Sequence, residues 1–141
     1  MSNYLPKTFT ASATLGLADS GTPLVVSAAA GLTLTLPAAS GSGLDYEIVI
    51  GTTVTSNSVI VRVANSSDTI RGIAITAQDG GDTAVAFEAG ATADTITMNG
   101  STTGGLLGDR IILKDIAANL WSVNVIMAAT GTEASPFSAT V

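Results

Sequence analysis

Short runs in which every second residue is apolar recur along this chain, separated by clusters of Gly, Ser, Asn and Asp. In residues 31–36, Leu32, Leu34 and Leu36 alternate with Thr33 and Thr35. In residues 120–127, Trp121, Val123, Val125 and Met127 alternate with Leu120, Ser122, Asn124 and Ile126. A period of two sends alternate side chains to opposite faces of a strand; on a helix the same spacing would scatter them round the surface. Further strand segments are read at residues 24–28, 46–50, 58–64, 70–77, 83–88, 94–98 and 109–116. Pro37 ends one run, and Gln78-Asp79-Gly80-Gly81-Asp82 is a strong turn signal between two others.

About nine short strands and no credible helix predict an all-β domain, a compact β-sandwich or barrel. The domain spans residues 14–128, with an extended N-terminal arm over 1–13 and an extended C-terminal tail over 129–141. Segments 46–50 and 58–64 read as a hairpin or as adjacent strands. Arg62 is in phase with Ile60 and Ala64, which predicts an edge strand or a subunit contact. Trp121 falls on the consistently apolar face of its strand and reads as a core anchor. With only 4% aromatics, the core must come from small and β-branched side chains.

The chain contains neither cysteine nor histidine, although 46% of it is hydrophobic. This removes disulfides, the usual zinc ligands and the common nucleophile–base pairs. A Ser–Lys pair is formally available through Lys114, but Lys114 alternates with Leu113 and Asp115 on a strand, as a solvated residue would. Glu47 and Glu88 are the only mid-chain glutamates, and some carboxylate pair is unavoidable among eleven acids. Asp79–Asp82 lacks the ligand spacing of an EF-hand loop and reads as a turn. The Gly100–Gly105 stretch lacks the Gly-Lys-Ser/Thr ending of a phosphate loop. No catalytic, cofactor or metal residue is therefore assigned, and no enzymatic activity is expected.

The net charge of −6, with only Lys7, Arg62, Arg71, Arg110 and Lys114 cationic, speaks against a nucleic-acid partner or an anionic membrane. Mean hydropathy is +0.49, yet no stretch of about 18 residues is free of polar and turn residues, so no spanning helix is expected. The N-terminus lacks the apolar region of a secretory signal, and the lack of cysteine is compatible with synthesis in a host cytoplasm.

Residues 1–13 concentrate Tyr4, Leu5 and Phe9 near Pro6 and Lys7. Two readings are open: these side chains pack on their own domain, or the segment docks on a neighbouring subunit. Under the second, Tyr4, Leu5 and Phe9 are anchors, Lys7 meets a partner carboxylate, and residues 1–13 can be removed without loss of the fold. Pro136 and Phe137 are the only bulky residues between Ala128 and Val141 other than Val141 itself, and are read as reaching a neighbouring subunit.

Three blocks carry a resemblance. Gly108-Asp109-Arg110-Ile111-Ile112-Leu113-Lys114-Asp115-Ile116 followed by Leu120-Trp121-Ser122-Val123 resembles a pattern in tailed-bacteriophage virion proteins. Leu32-Thr33-Leu34-Thr35-Leu36-Pro37-Ala38-Ala39 and Thr130-Gly131-Thr132-Glu133-Ala134-Ser135-Pro136-Phe137 are similar to blocks in the same proteins. They cover about half of the chain and specify no catalytic residue; within them Asp109 and Asp115 read as turn residues and Trp121 as core. Together with the small size, the resemblance implies a capsid decoration (cement) protein, a homotrimer bound to the major capsid protein on the outside of the expanded head. The alternative is a tail-fibre, spike or head-fibre module that binds host surface glycan or protein.

Overall fold

The computed structural model describes residues 5–141. Its strands form two mixed sheets that enclose one apolar core, so the expected all-β architecture takes the form of a two-sheet sandwich. The nine segments read from alternation are all strands. They are β3 (Pro23–Val26), β4 (Leu32–Thr35), β5 (Asp45–Ile50), β6 (Val59–Arg62), β7 (Thr69–Ala77), β8 (Ala84–Glu88), β9 (Thr95–Met98), β10 (Arg110–Ala117) and β11 (Leu120–Ala128). Three more raise the number to twelve: β1 (Lys7–Phe9), β2 (Ala13–Thr14) and β12 (Phe137–Ser138). They have two or three residues each, too few for a period of two to register.

Strand order is β1-β3-β5-β10-β11-β7-β8 in the seven-stranded sheet and β12-β9-β6-β4-β2 in the five-stranded sheet. From β1 to β6 the chain crosses from one sheet to the other at every step. Each strand then lies parallel to the one two places earlier: β1 to β3, β3 to β5, β2 to β4 and β4 to β6. Parallel neighbours need a long crossover; here the crossover is itself a strand of the facing sheet. The pair expected as a hairpin or as adjacent strands, β5 and β6, is therefore split between the sheets. The linker between them, residues 51–58, crosses the end of the sandwich. Arg62 is likewise not on an edge, because β6 is the central strand of its sheet; the side chain projects from the outer face.

The winding stacks inward-facing side chains in ladders. Leu24, Val26, Ile48 and Ile50 from one sheet meet Leu32, Leu34, Val59 and Val61 from the other, all at most 6% exposed. Burying each such side chain is worth roughly 1.5–3 kcal/mol, which is how a core poor in aromatics holds. Trp121 is fully buried, with its ring centroid 5.8 Å from that of Tyr46. The second half closes the seven-stranded sheet with the β10–β11 and β7–β8 hairpins, while β7 and β11 run parallel. Gly72, at φ 153° in β7, packs so closely that a Cβ there would lie 1.7 Å from the Val123 carbonyl oxygen.

Candidate functional site

The N-terminal segment is woven into the sandwich more deeply than an arm would be. Lys7–Phe9 pairs with Leu24–Val26 and makes β1 an edge strand of the seven-stranded sheet. Phe9 is 7% exposed and belongs to the core, the own-domain reading of this residue. The Lys7 ammonium meets the buried Asp19 carboxylate and lies 5.1 Å from the Phe9 ring centre. Burial pushes Asp19 up, but the hydrogen bonds from Lys7 and the Gly16 amide, with the Lys7 charge, outweigh it and hold the carboxyl below its ordinary value. Leu5 differs: it is 76% exposed just ahead of the edge strand. Tyr4 lies outside the described residues.

Pro136 and Phe137 also rest on their own domain. Pro136 is buried, and its carbonyl accepts the Thr97 amide at 2.8 Å. Phe137 is half-buried against the core and pairs with Ile96. The strand orders put β1 and β12 at edges of different sheets. Phe137 shares a shallow recess with Glu88, at the β8 end of the sandwich and so away from β1. The predicted N- and C-terminal contact residues are thus not brought together.

Sequence reasoning read Asp109 and Asp115 as turn residues; the structure buries both, along with Asp19, Asp68 and Asp94. Each carboxylate collects hydrogen bonds from a loop. Asp115 accepts the amides of Ser40, Gly41 and Ser42 and the Ser42 hydroxyl. Asp94 accepts the amides of Thr140 and Val141 and the Thr95 hydroxyl. Asp68 accepts the Ala39 amide and the Asn65 side chain. Burial pushes the pKa of Asp94 and Asp115 up, but the hydrogen bonds prevail and both carboxyls lie below the ordinary value. At Asp109 burial prevails over three amide bonds, and its pKa is raised. These groups fasten loops and face no open cleft. Of the five, only Asp109, which follows Gly108 and precedes β10, carries a local signal for such a role.

The outer face of the seven-stranded sheet is also open to a partner. Ile73, Ile75 and Ile126 project from it, each about half exposed, with Ile126 directly across from Ile75. Arg71, Arg110 and Lys114 project from the same face. Arg110 Nε lies 3.3 Å from Glu47 Oε1, Lys114 is in register with Asp45, and Glu88 stands opposite Ile73 near Arg71. The outer face of the five-stranded sheet is instead polar, with Thr14, Thr33, Thr35 and Arg62 around a shallow recess.

Among the described residues no His, Cys, Asp or Glu side chains gather as a metal-binding group, and no helix is long and apolar enough to cross a membrane. The fold defines a class, an all-β sandwich of two mixed sheets. No family model, curated protein or solved structure matches the chain.

Proposed function

We propose that this chain is a bacteriophage capsid decoration protein that binds the outside of the expanded head through its N-terminal segment. The observation that carries the docking mode is the exposed Leu5 beside β1, an edge strand with one side of its backbone free of any strand partner among the described residues. Such an edge accepts an added strand from another protein, with an adjacent apolar side chain as anchor. The capsid as partner rests on the resemblance of the Leu32–Ala39, Gly108–Val123 and Thr130–Phe137 blocks. The loop-fastened sandwich supplies a stiff body from which the contact is presented.

The mechanism is linkage. A protein that binds the expanded shell and not the unexpanded one stabilises the former by its differential affinity. Several copies joined in one assembly, such as a trimer, add avidity, because later contacts become intramolecular.

Co-sedimentation with expanded heads lacking the protein, alongside unexpanded shells, tests this. Saturable binding to expanded heads alone is expected, and deletion of residues 1–5 should weaken it while the thermal melt stays unchanged. A larger deletion through residue 13 is unsuitable, since it removes β1, the buried Phe9 and the Lys7–Asp19 pair. A folded protein that binds neither shell overturns the proposal and leaves a host-binding appendage module as the reading to pursue.

A further inference from the structure

The outer face of the seven-stranded sheet combines two properties found nowhere else on the described surface. The first is a contiguous apolar centre. Ile126 and Ile75 are paired across β11 and β7, and Ile73 lies two residues further along β7; they are 56%, 48% and 47% exposed. Isoleucines grouped on adjoining strands of a rigid sheet are a different matter from scattered exposed apolar residues, which need no explanation.

The second property is charge. The whole chain carries −6 from five cations and eleven acidic residues. The outer face of β5, β10, β11, β7 and β8 holds three of the cations, Arg71, Arg110 and Lys114, against three carboxylates, Asp45, Glu47 and Glu88. Only Lys7 and Arg62 are left for the other eight acids. Of those eight, Asp79, Asp82 and Glu133 stay at the surface by the β7–β8 turn, and copies meeting there bring like charges together. On this face each cation already sits by a carboxylate of a neighbouring strand, so copies can meet without that repulsion.

The charges also alternate across the strands. β5 is acidic, β10 basic, β11 uncharged, β7 basic and β8 acidic. A copy displaced by a strand or two sets basic strands over acidic ones, with the isoleucines between them. Five strands about 4.8 Å apart and five to nine residues long, at about 3.3 Å per residue, make a face of roughly 600 Å². That is at the lower end of the range around ~800 Å² per partner of a standard protein interface.

We propose that this sheet face is the surface by which copies of the chain associate, the isoleucines forming the dry centre and the surrounding arginine, lysine and carboxylate side chains the rim. It does not rest on the capsid reading, because the purified chain alone tests it. The mass in solution, measured by sedimentation over a range of concentrations, should be a multiple of the 14.0 kDa chain. Ile126→Glu and Ile75→Glu should each weaken association by about tenfold or more, since each buries a carboxylate among apolar groups. Thr33→Glu, on the opposite sheet, should leave it unchanged. All three positions are at the surface, and circular dichroism should report the same fold.

A gentler probe uses the absence of natural cysteines. Asn124→Cys should react with a maleimide about tenfold more slowly than Thr33→Cys in the associated protein, and at an equal rate when diluted to monomer. A chain that stays monomeric at every concentration overturns the proposal. So does an oligomer indifferent to both glutamate substitutions, or equal labelling at the two cysteines.

Discussion

Asp109 Oδ1 accepts the backbone N–H of Ala128 at 2.9 Å, so the residue that precedes β10 holds the last residue of β11. Its other oxygen accepts the amides of Gly105 and Leu106 at 2.8 and 3.0 Å. Three loop amides would lose their acceptor in Asp109→Ala. At about 1 kcal/mol or more for each donor stranded, the loss should reach about 3 kcal/mol. Urea unfolding followed by circular dichroism gives the value, and a cost under about 1 kcal/mol would show that water replaces the carboxylate.

Acid should loosen the loops before it unfolds the sheets. Asp19, Asp94 and Asp115 lie below the ordinary 3.8 in the folded chain. They bind fewer protons folded than unfolded, so their stabilisation is complete above about 3.8 and is lost as pH falls through the folded values. Asp109, whose pKa is raised, works in the opposite sense between 3.8 and its folded value. With three groups against one, the melting temperature should fall as pH drops below about 4. In Asp115→Asn that slope should be shallower; an unchanged slope would remove Asp115 from this role.

At the alkaline end, Tyr46 should titrate late. Burial, then the charges of Asp19 and Asp115, push its hydroxyl up to about 12 from 10.0, and the hydroxyl donates to the Gly16 carbonyl at 2.9 Å. The folded state retains the proton, so this contribution is present below pH 10 and is lost as pH rises through about 12. Phenolate absorbance should show one tyrosine ionising only with unfolding.

Gly72→Ala should be among the most damaging single-methyl additions to this chain. The Cβ would meet the Val123 carbonyl oxygen at 1.7 Å, and φ 153° is strained for any other residue. Either β7 and β11 separate or the backbone rotates, at a cost of about 3 kcal/mol or more. Gly90→Ala, with nothing within 4 Å of its Cβ, is the control and should melt close to wild type.

Trp121 is the only tryptophan, and its buried indole N–H has no hydrogen-bond partner among the described residues. Trp121→Phe therefore forfeits packing but no hydrogen bond and should cost about 1–2 kcal/mol, against about 3–5 kcal/mol for Trp121→Ala. Emission of the native protein should be blue-shifted and should move to the red on unfolding. A red-shifted native spectrum would contradict its full burial.

Much of the domain was legible in local pattern. Trp121, Val123, Val125 and Met127 alternate without a break, and all four are buried. Less legible were residues whose role comes from a distant partner. Phe9 could be read as a core residue or as an anchor for another protein, because nothing local announces that Val26 lies beside it in register. Asp115 looked like a turn residue, although the amides it accepts are more than seventy positions away in the chain.

The sequence by itself determined where the strands lie and which of their faces is apolar, because the two-residue period is set by the geometry of a single strand. Only the tertiary structure decided which strands are neighbours. Separation of β5 from β6 into facing sheets, the parallel β1-β3-β5 and β2-β4-β6 ladders, and the gathering of Arg71, Arg110 and Lys114 on one face all depend on pairing between distant segments. Alternation fixes which side chains face inward, and many pairings satisfy it equally. The choice among them falls to the close packing of the whole core.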